Sequence, residues 1–193
     1  MNLPNQLTVL RLILTFVFVG VMSSQMEHRF SIAFILFVIA SITDFLDGYI
    51  ARKHNLITDF GKLMDPLADK VLMCGGFVLL VELDMMPGWV VVAILAREFL
   101  MTGLRLVAAA EGKVLAAENL GKHKTVWQII TVLYFLLALA ASEPLFGWLT
   151  PFFDWKITSV AVLGQILIYL SLALTILSGW NYIRKNRGVI TEW

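Results

Sequence analysis

Of 193 residues, only 15% are charged and 59% are hydrophobic, with a mean hydropathy of +0.82; a water-soluble domain carries about 25% charged residues, so an ordinary soluble domain is excluded and the chain reads as a membrane protein. The formal net charge of +1 provides no global basic field, which excludes a nucleic-acid partner. A single cysteine, Cys74, excludes an intrachain disulfide and reads as a small buried hydrophobe.

A spanning helix needs roughly 20 mostly apolar residues. Six segments approach that requirement: 6–22, 30–52, 62–82, 88–110, 124–142 and 158–183. The first carries Arg11 ahead of its apolar run and no clear small-residue cleavage site after it, so it reads as a retained helix and not a signal peptide. Its polar residues Asn5, Thr8 and Arg11 recur every third position, which on its own reads as a stripe facing water or headgroups. The second places Asp44 about eight residues before its end, roughly 12 Å into the membrane zone. The third contains Pro66, so it either begins near Asp65, with its N-terminal dipole aimed at an anion, or kinks there. Asp59, in the preceding turn, reads as a solvated or capping residue. The fourth has Glu98, Thr102 and Arg105 on one face, with Arg97 and Arg105 about 80° apart around the axis. Lys122, His123, Lys124 and Thr125 open the fifth, and Arg184, Lys185 and Arg187 close the sixth. His54 and His123 read as interfacial residues. No repeat or linker interrupts the chain, so 1–193 reads as one domain.

Six spans put both ends on one side. Lys and Arg near helix ends are retained on the cytoplasmic face. Arg52, Lys53, Lys62, Lys70, Lys113, Lys122, Lys124, Arg184, Lys185 and Arg187 collect on one side, against Arg29 and Lys156 on the other. The expected architecture is an all-α integral membrane protein with six transmembrane helices, both termini cytoplasmic and Trp89, Trp148 and Trp155 at the outer interface.

The aspartates form a pattern. Asp44, Asp47, Gly48 and Ala51 fall on one stripe of the second helix, with Arg52 at its margin, while Gly61, Asp65 and Asp69 fall on one stripe of the third. If the stripes face each other, four carboxylates converge at the cytoplasmic end, and Gly48, Ala51 and Gly61 leave room for a bulky group. Four like charges in a small volume need neutralising cations or protonation. An all-oxygen donor set suits hard divalent ions, Mg²⁺ or Mn²⁺ before Zn²⁺. The structural alternative pairs the aspartates with Arg52, Lys62 or Lys70; it accounts for one pair but not for four carboxylates on two stripes, and ionisable groups inside a membrane are functional by default. A divalent-cation transporter would need acids in the outer halves of the helices as well. Glu27, Glu82, Asp84, Glu143 and Asp154 instead fall in turns and form no stripe.

The spacing Asp44-x2-Asp47-Gly48-x2-Ala51-Arg52-x8-Gly61-x3-Asp65-x3-Asp69 resembles, without gap or substitution, the signature of the CDP-alcohol phosphotransferases. The resemblance implies a six-helix membrane enzyme, commonly a homodimer, that moves a substituted phosphate from a CDP-linked donor to an alcohol and releases CMP. It implies that Asp44, Asp47 and Asp65 bind two Mg²⁺ or Mn²⁺ ions with the donor diphosphate. Asp69 would be both a metal neighbour and the general base, while Gly48, Ala51 and Arg52, with Gly61 nearby, would hold the nucleotide. Asn5, Thr8 and Arg11 resemble the family's amino-terminal pattern near that nucleotide.

The flanking runs MNLPNQLTVLRL, DPLADKVLM and AREFLMTGLRLVAAAEGKVLAAENLGKHKT resemble bacterial members of the family, in the cytoplasmic membrane, that join CDP-diacylglycerol to sn-glycerol 3-phosphate. The likeness covers most of the chain, the last helix being its least distinctive part. A soluble dianion needs a cationic, water-reachable site beside the metals, and the candidates are Arg105, Arg97, Lys122, Lys124, Thr125, Arg184 and Lys62. The competing readings are neutralisation of Arg105 by Glu98, and positive-inside anchoring by Lys122, Lys124 and Arg184. Within the same family, phosphatidylglycerol (as in cardiolipin synthesis), serine or inositol are the alternative acceptors.

Overall fold

The computed structural model describes residues 2–53, 58–110, 112, 119–153 and 158–187; within these, the side chains of 51, 52, 59, 60, 62, 63, 119, 120, 122 and 158–160 are outside the description. The described residues are all helical, with six α-helices: α1 (Leu3–Met22), α2 (Arg29–Lys53), α3 (Asp59–Glu82), α4 (Gly88–Ala110), α5 (Asn119–Ala140) and α6 (Thr158–Lys185). A 3-10 segment, Pro144–Phe152, lies between α5 and α6.

The local sequence explains where the helices start. The Asn2 side chain accepts from the Asn5 amide at 3.3 Å, and Pro4 sits in the first turn of α1, where its missing N–H costs nothing. The Thr58 hydroxyl accepts from the Gly61 amide at 3.0 Å and caps α3, so the helix starts at Asp59 and not near Asp65. Asp59 is the first residue of the helix; its neighbour Thr58 provides the cap. Pro66 therefore lies in the helix interior, where it offers no N–H to the preceding turn. One turn on, Lys70 Nζ donates to the Pro66 carbonyl at 3.0 Å.

Among the described residues, four helices are long and apolar enough to cross a membrane: Leu3–Met22, Arg29–Ile50, His123–Ala140 and Ala161–Lys185. The other two have the length, at 24 residues for α3 and 23 for α4, but carry the charges that make the site. Large apolar side chains such as Phe16, Phe45, Val92 and Trp180 face outward, as a lipid-facing surface requires.

α1 packs on α2 and α3, α5 on α2 and α6, and α4 on α3 and α6. Phe18, Phe37, Phe77, Leu80, Ile94 and Val132 are wholly buried at the centre. Two glycines permit the closest approaches. A Cβ at Gly76 would meet Val132 Cγ1 at 3.0 Å, and one at Gly164 would meet Phe135 Cζ at 2.9 Å. Between α5 and α6, Gln128 Nε2 donates to Thr175 Oγ1 at 2.9 Å and the Thr131 and Ser171 hydroxyls pair at 2.8 Å, a buried polar seam of the kind that joins helices in lipid.

Glu143 is buried in the turn after α5 and caps the start of α2. Its carboxylate accepts from the Phe30 amide at 2.9 Å, the Ser31 amide at 2.8 Å and the Ser31 hydroxyl at 2.5 Å. This fixes α2, and the aspartates near its other end, against α5. Cys74 is half-buried on an apolar groove with Gly75 and Val78, and not in the core as its composition suggested.

Candidate active site

The two aspartate stripes do face each other. Asp44, Asp47 and Gly48 of α2 line one cavity of about 700 Å³ with Asp65, Pro66 and Asp69 of α3. Each stripe follows from helical spacing alone, since residues three and four apart share a face.

The third wall is α1. Arg11 is wholly buried, and its guanidinium makes an ion pair with Asp44 at 2.6 Å and another with Asp47. Thr8 Oγ1 donates to Asp65 at 2.5 Å, and the Thr58 hydroxyl donates to Asn5 Oδ1 at 2.9 Å. The polar stripe of α1 thus faces the bundle and the carboxylates, not water or headgroups. Because Asn5, Thr8 and Arg11 lie on one face, the helix presents all three to α2 and α3 together. Among the described residues, the cation on the aspartates is Arg11. Lys70 is on the Pro66 carbonyl, and the side chains of Ala51, Arg52 and Lys62 lie outside the described residues.

Gly61 is surrounded, and its neighbourhood is not open space. A Cβ there would meet Asn5 Oδ1 and Thr58 Oγ1, each at 3.2 Å, so this glycine lets α1 close on α3. The donor set of Asp44, Asp47, Asp65 and Asp69 is oxygen alone and shares one cavity, which fits hard divalent ions. Among the described residues no three acidic, His or Cys groups close on a single point, and Arg11 and Thr8 hold three of these carboxylates.

Asp69 is half-buried and belongs to two spaces at once. Like Asp44, it lines the aspartate cavity and also a cleft of about 1520 Å³, open to solvent, whose other wall holds Arg97, Arg105, Lys124 and Thr125. Four of the candidate acceptor residues are thereby brought beside Asp69. Lys124 is 5% exposed and makes an ion pair with Glu98, whose carboxylate also lies 3.5 Å from Arg97 Nη1. Lys124 is therefore a buried residue of the cleft and not an interfacial anchor, and Glu98 neutralises it and not Arg105.

Arg105 has a different neighbour. Its Nε donates to the Tyr182 hydroxyl at 3.2 Å, and its guanidinium lies 5.1 Å from the centre of the Tyr182 ring. Arg97 Nη2 donates to Ser178 Oγ at 3.0 Å. Arg184 is exposed and is not brought to the cleft: Tyr182 faces inward, and two residues further on a helix points about 200° away. The Lys122 side chain lies outside the described residues. Sequence reasoning missed Ser178 and Tyr182, whose one signal is that they continue the polar stripe Ser171, Thr175 of α6 at three- and four-residue spacing.

The sequence pattern of the family CDP-alcohol phosphatidyltransferase matches residues 1–177. A CDP-diacylglycerol–glycerol-3-phosphate 3-phosphatidyltransferase of Bacillus subtilis is 41% identical to this chain, over 96% of this chain and 95% of that protein. A protein of the same name from Rickettsia felis is 34% identical, over 95% and 94%. A probable phosphatidylglycerophosphate synthase of Mycobacterium tuberculosis is 34% identical, over 95% and 81%.

Proposed function

The chain belongs to the CDP-alcohol phosphatidyltransferase family, and from that premise we propose that it transfers the phosphatidyl group of CDP-diacylglycerol to sn-glycerol 3-phosphate, giving phosphatidylglycerophosphate and CMP. One observation supports the assignment of roles: Asp69 and Asp44 both stand where the aspartate cavity opens into the basic cleft, and of the two Asp44 is the one paired with Arg11. A donor on the acidic side and an anionic acceptor on the basic side then meet at a carboxylate.

Asp69 accepts the proton of the acceptor hydroxyl. The hydroxyl oxygen forms its bond to the phosphatidyl phosphorus as the bridging P–O bond breaks, and CMP leaves with the electron pair. Asp44, Asp47, Asp65 and Asp69 would hold two Mg²⁺ or Mn²⁺ ions, which when bound supply neutralisation of the diphosphate charge. Gly48 leaves the cavity wall without a side chain where the nucleotide enters, beside Ala51 and Arg52. Asn5 and Thr8 brace α1 against α3 under that site. Arg105 and Arg97 grip the acceptor phosphate, for which guanidinium groups offer paired donors. Thr125 offers a hydroxyl on the same wall.

All six helices cross the bilayer in this reading. α3 and α4 are long enough, and their charges face the cleft instead of lipid. Both termini and the mouth of the cleft lie on the cytoplasmic face of the bacterial cytoplasmic membrane, where a soluble acceptor can enter and a lipid donor can arrive sideways.

The test is CMP release by purified protein in detergent, with CDP-diacylglycerol and Mg²⁺ or Mn²⁺. The acceptor panel is sn-glycerol 3-phosphate, phosphatidylglycerol, serine and inositol. Release with glycerol 3-phosphate is expected. No CMP with any acceptor overturns the enzyme reading, and release only with an uncharged alcohol overturns the acceptor.

A further inference from the structure

The two arginines of the cleft stand on α4, and each donates a hydrogen bond to a hydroxyl of α6. Ser178 is wholly buried; its hydroxyl donates to the Thr175 carbonyl at 3.1 Å, which leaves the oxygen to accept from Arg97 Nη2 at 3.0 Å. Next to it, Gly179 gives room to the same side chain. A Cβ there would meet Arg97 Cγ and Nε, each at 3.1 Å. One turn on from Ser178, Tyr182 is 1% exposed, accepts from Arg105 Nε and lies under its guanidinium.

We propose that Ser178, Gly179 and Tyr182 form a ledge on α6 that positions Arg97 and Arg105 for the acceptor phosphate, and that this ledge makes the enzyme selective for a phosphate-bearing alcohol. The proposal rests on the acceptor pocket described above. The chemistry follows from the guanidinium. It carries five N–H donors in a rigid plane, and its use as a phosphate clamp depends on which edge faces the ligand. For Arg105, with Nε directed to Tyr182 and the ring under the plane, the terminal nitrogens are the edge that meets a phosphate in the cleft; Arg97 is held instead by its Nη2 on Ser178. A flexible arginine would have to lose that rotamer freedom on binding, whereas one already held loses less. Tyr182 and Ser178 are positioning residues, since they act through the arginines.

The test is steady-state kinetics of CMP release for Arg105→Ala, Tyr182→Phe, Gly179→Ala and the double variant Arg105→Ala/Tyr182→Phe, with KM measured separately for CDP-diacylglycerol and sn-glycerol 3-phosphate. Tyr182→Phe keeps the ring and removes one oxygen, so folding is preserved. Loss of one hydrogen bond that only orients the arginine should raise the acceptor KM about three- to tenfold, the effect of an ordinary net hydrogen bond, with the donor KM unchanged. Gly179→Ala, which pushes the Arg97 stem, should raise the acceptor KM as well. In the Arg105→Ala background, Tyr182→Phe should add nothing further. A wild-type acceptor KM in Arg105→Ala overturns the pocket and this proposal with it. A raised value there, with wild-type values in both Tyr182→Phe and Gly179→Ala, overturns the ledge alone. Equal rises in donor and acceptor KM, or full additivity in the double variant, also overturn it.

Discussion

Replacing Arg11 with methionine tests the charge balance of the site. The guanidinium is wholly buried and pairs with Asp47, 3% exposed, and with Asp44, 40% exposed. Removing one partner of a buried ion pair leaves an uncompensated charge and costs about 3–5 kcal/mol. Because Asp44 is partly in water, its share is screened, which puts the expected loss near the lower figure, about 3 kcal/mol. For a chain of this length each kcal/mol moves the melting temperature by about 2–4 °C, so Arg11→Met should melt roughly 6–12 °C lower in EDTA. In the proposed reading, divalent metal would supply the missing positive charge. An ion at about 100 times its dissociation constant stabilises by about 2.7 kcal/mol, which recovers most of the loss. The assay is thermal unfolding in detergent, with EDTA and across a Mg²⁺ or Mn²⁺ titration. A variant that melts with the wild type in EDTA would show that Arg11 is not the counter-charge. One that melts low and gains no more from metal than the wild type would separate the carboxylates from any metal site.

The other expectations concern single positions. Asp69→Asn should lower the rate of CMP release by about 10²–10⁴-fold while donor binding, followed with a CDP-linked analogue, persists; a rate within tenfold of wild type would remove Asp69 as the base. Glu143→Gln weakens the cap on α2 by about 1 kcal/mol, so the melting temperature should fall by about 2–4 °C with both KM values unchanged. An unaltered melt would show that the cap adds no stability. Gly164→Ala puts a methyl 2.9 Å from Phe135 Cζ, and overpacking of this kind costs about 1–3 kcal/mol. Normal melting in that variant would mean that α5 and α6 can separate without cost.

The features legible in the sequence are those that helical spacing carries by itself. The stripe Asp44, Asp47, Gly48 and the stripe Asp65, Asp69 are fixed by periods of three and four, so their convergence needed only a short connection between α2 and α3. Spacing tells which residues share a face but not what that face meets. The Arg11–Asp47, Glu98–Lys124 and Arg105–Tyr182 pairs join residues 36, 26 and 77 positions apart, and no local pattern encodes them. The start of α3 has a related limit: Pro66 allows either a start near Asp65 or a kink within a longer helix, and the cap that excludes the start near Asp65 is a single hydroxyl, that of Thr58. Segment length reads six spans from the sequence, while a strict limit on hydropathy and charge keeps four of the described helices and passes over α3 and α4, because it counts their charges wherever they point.

Those inward charges are sorted along the chain. The helices α1 to α3 bring Asp44, Asp47, Asp65 and Asp69 with Arg11 between them, while α4 and α5 bring Arg97, Arg105 and Lys124 with Glu98 between them. Among the described residues, buried Arg11 stands among the carboxylates and half-buried Glu98 among the cations, which lowers the cost of burial without cancelling the sign of either group. An acidic half suits a donor whose diphosphate arrives with cations, and a basic half suits a soluble anion. If the two halves were mixed, the buried charges would pair completely and neither ligand would find an unmatched partner. Asp69, with Asp44, lies on the border between them, and in the proposed reading it is there that a hydroxyl held by the basic half gives up its proton to reach a phosphorus held by the acidic one.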